Sequence, residues 1–88
     1  MTIAVVAITR NGARLGASLP RQDAELFVLR RYAGEAEGSR PFDDLRELLA
    51  ELWGSRRGIV CIMAAGIVVR LAAPLLRGKD SDPAVVVM

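Results

Sequence analysis

At 88 residues and a formal charge of +2, from 12 basic and 10 acidic residues spread along its length, the chain has room for one domain and no concentrated basic face for nucleic acid. Histidine is absent and there is one cysteine, which excludes an internal disulfide, a Ser-His-Asp triad and a Cys/His metal cluster within this chain. Apolar residues make up 52% of it, which so short a chain needs, because it buries only a little over ~60% of its unfolded surface.

The first run, Ile3 to Ile8, is apolar without polar alternation and predicts a strand buried on both faces, as in a parallel sheet. Thr9-Arg10-Asn11-Gly12 follows as a turn, with Asn11-Gly12 suited to positive φ, and Ala13 to Leu19 predicts a short helix stopped by Pro20. Glu25 to Arg30 predicts a second strand, with a helical turn as the other reading. Tyr32 to Arg40 has no period and predicts a solvated loop.

Pro41 to Trp53 carries the clearest helix signal: Pro near the first turn, Asp43 and Asp44 at the positive end of the dipole, and Gly54 beyond the end. Phe42, Leu45, Leu48, Leu49 and Leu52 form its apolar stripe, while Arg46, Glu47 and Glu51 read as a solvated face. Gly58 to Met63 predicts a third buried strand, Ala64-Ala65-Gly66 the turn into a helix from Ile67, and Pro74 the kink or end of that helix. Gly78 to Pro83 is a further turn and Ala84 to Met88 a fourth strand. The order β-α-β-α-β-α-β predicts one α/β domain over residues 1–88, a three-layer open parallel sheet flanked by helices, Rossmann- or flavodoxin-like.

Ile59 to Leu76 is the nearest approach to a membrane span. Arg70 and Pro74 interrupt it, and a central arginine costs roughly 2.5–3.5 kcal/mol on insertion scales, so strand, turn and helix explain it better. No membrane partner is expected. No secretory leader pattern opens the chain, and with one cysteine a reducing cytoplasm is the expected setting.

Open parallel sheets hold ligands beyond the carboxyl ends of their strands, where strand order reverses. Two turns qualify: Thr9, Arg10, Asn11 and Gly12 after the first strand, and Ala64, Ala65, Gly66 and Ile67 after the third. The former offers a hydroxyl, a guanidinium and an amide, and the latter offers small side chains and a helix N-terminus; together they suit an anionic, flat or bulky ligand. The plainer readings are a positive-φ turn and a tight strand-to-helix packing turn. Arg70, one turn after Gly66, either reaches an anionic group or lies in solvent. Cys61, mid-strand, reads as a small buried hydrophobe, and Thr9 as a hydrogen-bond partner. Neither a G-x-G-x-x-G pattern nor a Walker loop is present.

Three separated segments carry a resemblance in order and spacing: Ile3 to Gly12, IAVVAITRNG; Gly58 to Leu76, GIVCIMAAGIVVRLAAPLL; and Lys79 to Val87, KDSDPAVVV. They resemble the N-terminal part of the CbiG family, the cobalt-precorrin-5A hydrolases of anaerobic cobalamin biosynthesis. The resemblance implies a part in opening the δ-lactone of cobalt-precorrin-5A with loss of acetaldehyde, giving cobalt-precorrin-5B. Its substrate is a flat corrinoid edged with carboxylates whose cobalt belongs to the substrate, so no metal site and no cofactor is implied for the protein.

Full-length members of that family continue into a Gly-His-Leu-Gly-Gly-Ala-Asn-like segment, a middle region and a C-terminal domain that this sequence lacks. The expectation is an N-terminal fragment, inactive alone, whose partners are the corrinoid and the missing segments or a second copy. The alternative is a non-catalytic module that docks another protein of the pathway or the missing domain.

Overall fold

The computed structural model describes residues 2–20 and 22–88, and its centre is a five-stranded, all-parallel sheet in the order β3-β2-β1-β4-β5. The strands are β1 (Ile3–Ala7), β2 (Ala24–Leu29), β3 (Arg40–Phe42), β4 (Gly58–Ile62) and β5 (Ala84–Val87). Helices α1 (Arg10–Ser18), α2 (Leu45–Trp53) and α3 (Ala65–Ala72) connect them, with 3-10 turns at Arg30–Glu35 and Ala73–Leu75. This is the α/β open sheet expected from the alternation of elements. The two unbroken apolar runs are adjacent, parallel and interior, with Val5 paired to Val60 and Ala7 to Ile62.

Alternate side chains of each strand feed two cores, one per face. Ala4, Val6, Phe27, Ile59 and Cys61 pack with Leu48, Leu49, Leu52 and Trp53 of α2 and Val68 of α3. Val5, Ala7, Leu26, Val28 and Ile62 pack with Ala13 of α1 and with Ala36. Leu49 and Ile59 are each 1% exposed, and burying such a side chain fully contributes about 1.5–3 kcal/mol. The crossover from β3 through α2 to β4 carries the chain from one sheet half to the other, and from one face to the other.

The sheet has five strands where the sequence reading has four. The additional one is β3, drawn from the end of the expected loop and the start of the expected helix. Proline lacks an N–H and is tolerated on an edge strand, so Pro41 fits β3 as well as a first helical turn, and burial of Phe42 decides the matter. The N-cap of α2 is Asp44, whose Oδ1 accepts the Glu47 N–H at 3.2 Å. Likewise α1 begins at Arg10 instead of Ala13, α3 at Ala65 instead of Ile67, and the expected loop after β2 holds a 3-10 turn. Glu25 to Leu29 is strand and not a helical turn. Pro74 ends α3 as expected, inside the 3-10 turn that follows it.

Candidate functional site

Because β1 and β4 are parallel neighbours in register, the turns after them leave the sheet at the same edge. To one side of β1 lie β2 and β3, and to the other β4 and β5; the strand order therefore reverses between these two turns, which is where open α/β sheets have their crevice. The two turns singled out from sequence are brought together there.

Thr9 is the N-cap of α1: its Oγ1 accepts the Gly12 N–H at 2.9 Å, and its carbonyl accepts the Ala13 N–H at 2.9 Å. Arg10, Asn11 and Gly12 form the first helical turn, with Arg10 and Asn11 exposed. The positive-φ turn expected at Asn11-Gly12 is absent; among the described residues only Gly38 has positive φ, at 80°. Gly12 is needed for a different reason. A Cβ there would lie 2.9 Å from Thr9 Oγ1 and 3.3 Å from both the carbonyl oxygen and Cγ2 of Ile62. Its missing side chain lets α1 seat against the end of β4 and couples the two turns.

The second turn is open. Ala64, Ala65 and Gly66 are exposed, Ala64 provides no side-chain cap, and a Cβ on Gly66 would meet nothing within 4 Å. The first amides of a helix lack intrahelical acceptors, so a ligand can approach this backbone. Ile67 is half-buried and donates its N–H to Ala64 O at 3.1 Å. Arg70 is exposed on the same helix face as Gly66, with no ion-pair partner among the described residues.

The same edge carries a basic cluster of which the sequence points out only Arg10. Arg10 and Arg14 both reach Glu35, at 3.2 and 3.0 Å. The guanidinium groups of Arg10 and Arg31 both lie over the Tyr32 ring, 5.9 and 5.2 Å from its centroid. Arg30 grips Asp43 through two N–H groups, at 2.7 and 3.1 Å, a bond that holds the Asp43 carboxyl below its ordinary value and raises Arg30. An open depression of about 410 Å³ is lined by Leu29, Arg30, Arg31 and Asp43. The legible signal was Arg30-Arg31-Tyr32 immediately after a strand. The first turn of α1 contains no acidic residue and does contain Arg10, so its dipole and its side chain both favour an anion.

Elsewhere the chemistry is quiet. Cys61 is fully buried, and desolvation pushes its thiol up to about 11; it is the small hydrophobe the sequence suggested. Among the described residues no group of three potential ligands could hold a metal ion, and no helix is long and apolar enough to cross a membrane.

Residues 47–88 match the family described as Cobalamin synthesis G N-terminal. The chain is similar to a cobalt-precorrin-5A hydrolase of Priestia megaterium, 35% identical over 91 residues that cover 97% of this chain and 24% of that protein. It thus spans about a quarter of the length of the curated relative it matches. No solved structure matches it. Together the two matches, one over residues 47–88 and one over nearly the whole chain, support an N-terminal fragment of the CbiG family.

Proposed function

We propose that this chain is the substrate-binding module of an enzyme that opens the δ-lactone of cobalt-precorrin-5A, consuming water and releasing acetaldehyde. The observation that carries this reading is the meeting of two helix N-termini, one arginine-bearing and one stripped of side chains, where the strand order reverses. Exposed Ala64, Ala65 and Gly66 accept the face of a flat macrocycle, while Thr9, Arg10, Asn11, Ile67 and Arg70 meet its rim; peripheral carboxylates suit the amides and guanidinium groups. Gly12 supports the site by packing. The cobalt arrives and leaves with the substrate, in the cytoplasm.

Turnover needs the larger remainder of such an enzyme. The carboxylates near the cleft, Glu35 and Asp43, are both held in arginine pairs, and no histidine is present to act as a general base. The test is titration of the chain with cobalt-precorrin-5A, followed by corrinoid absorbance. Gly66→Val should weaken binding at least tenfold and leave the unfolding temperature nearly unchanged. A chain that binds no corrinoid until the remainder of the enzyme is supplied would instead favour a docking module.

A further inference from the structure

The sheet face that carries α1 is covered over β2, the later part of β1 and Ile62 at the end of β4, and open over the start of β4 and over β5. Pairing in register aligns two short rows that run from β1 onto that open part: Ile3, Gly58 and Ala84, and beside them Val5, Val60 and Val86, with Val5 buried, Gly58 and Val60 half-buried and the β5 members exposed. Ile3 is 37% exposed and Val86 53%, with no polar side chain in either row. Leu15, 42% exposed, lies one turn after Gly12, which packs on Ile62 of β4; it walls the bare strip on the α1 side. The result is an apolar groove running alongside α1, two strands or ~10 Å wide, which is the width of one helix.

Parallel sheets are covered on both faces, and the two edges of this sheet differ. The β3 edge is three residues long with exposed Arg40 and Pro41, features that block further pairing. The β5 edge is Ala-Val-Val-Val with no charge, proline or bulge. The molecule is closed on the β3 side and open on the side of the groove.

We propose that this groove seats one amphipathic helix from the larger part of a cobalt-precorrin-5A hydrolase, the three quarters of such an enzyme outside this module. The inference rests on reading the chain as a module of that enzyme, and the length of the relative beyond the match supplies an occupant. The size of the strip selects a helix over a second copy. Its exposed apolar surface is on the order of a few hundred Å², short of the ~800 Å² per partner in a stable dimer. Two copies joined through their β5 edges would leave both strips bare.

Thiol labelling, read by mass spectrometry at each introduced cysteine, tests this, because buried Cys61 gives no background in this chain. Leu15→Cys and Val86→Cys are each made in this chain alone, and in a fusion where the chain replaces the matching quarter of the Priestia megaterium enzyme. A maleimide should react with both at least tenfold more slowly in the fusion. Val69→Cys, on the α3 side and 68% exposed in the parent, should react equally fast in both settings. Equal rates at positions 15 and 86 overturn the proposal, and so does protection in the isolated chain that grows with its concentration, since a second copy would then be the occupant.

Reaction at Cys61 would reveal a misfolded fusion. In that event the intact relative and its matching quarter are compared by carbene footprinting: protection of the positions aligned with Val60 and Val86 in the intact enzyme alone supports the proposal, and equal labelling overturns it. Corrinoid binding is measured separately, so loss of binding with a protected groove sinks the substrate reading only, and binding with an open groove sinks the docking reading only.

Discussion

The Trp53 indole donates its Nε1–H to Asp82 Oδ1 across 3.1 Å, tying the end of α2 to the loop that delivers β5. The same carboxylate accepts the backbone N–H groups of Arg77, at 2.9 and 3.1 Å, and Gly78, at 3.1 Å. Burial pushes the Asp82 carboxyl up, but the N–H bonds from Arg77, Trp53 and Gly78 together outweigh it and hold it below the ordinary aspartate value.

A carboxyl whose folded pKa is depressed stabilises the fold above its unfolded pKa, about 3.9, and that contribution is lost as the pH falls through the lower folded value. Asp82→Asn should therefore lower the unfolding temperature at pH 7, and the gap from the parent should narrow at pH 3. Trp53, the single tryptophan, reports both transitions by fluorescence. An equal gap at the two pH values would show that the charge is not responsible.

Glu25 on β2 is gripped from two sides, by Arg56 Nη2 at 2.7 Å and Arg40 Nη1 at 2.7 Å. The Arg56 side chain is 17% exposed and that of Arg40 63%, so only the former bond is well shielded from water. Arg56→Ala should cost about 1–3 kcal/mol by leaving a half-buried carboxylate without that partner, and Arg40→Ala within about 1 kcal/mol. Urea unfolding of the two variants ranks them, and the reverse order would refute the argument.

Two glycines at the candidate cleft should respond oppositely to alanine. Gly12→Ala gains about 1 kcal/mol of helix propensity but forces the Thr9 cap oxygen and the Ile62 carbonyl apart from the new methyl group. Overpacking typically costs about 1–3 kcal/mol, so a net loss is expected. Gly66→Ala meets no atom and should raise stability by about 0.5–1 kcal/mol. Thermal unfolding separates them; a stabilised Gly12→Ala would mean that the helix slides on the sheet at little cost.

Cys61 faces the core beneath α2 and α3. Cys61→Ser should destabilise more than Cys61→Ala, because the buried hydroxyl adds a desolvation penalty of about 1–3 kcal/mol to the loss of packing. Native-state reaction with a thiol reagent should be slow and become fast above the unfolding midpoint.

The legible part of the fold was the part with the simplest physics. Unbroken apolar runs at Ile3–Ala7 and Gly58–Ile62 stand out because interior parallel strands are covered on both faces. β3 was illegible because its three residues, Arg40-Pro41-Phe42, carry no period and its proline suits a helix start equally well. The adjacency of the two turns followed from the rule that ligand crevices open where strand order reverses. The packing demand on Gly12 did not, since it depends on where the end of β4 sits in space. Nor could the clustering of Arg10 and Arg14 around Glu35, with the Tyr32 ring against Arg10, be read along the chain, as it arises when the 3-10 turn after β2 folds back over α1.

The strand order also dictates a sequence of events in time. β1 meets β2 after a short excursion through α1, but its other neighbour, β4, arrives only after β2, β3 and α2 have been made. Pairing across so long a loop pays its closure entropy before its contacts form, which is what makes distant pairing slow in general. Until β4 docks, the groups of β1 that will bond to it stay unpaired beside finished structure. During synthesis Ile3–Ala7, Ala24–Leu29 and Arg40–Phe42 are all made before Gly58–Ile62, so one edge of the central strand has no partner to bond until two thirds of the chain exist.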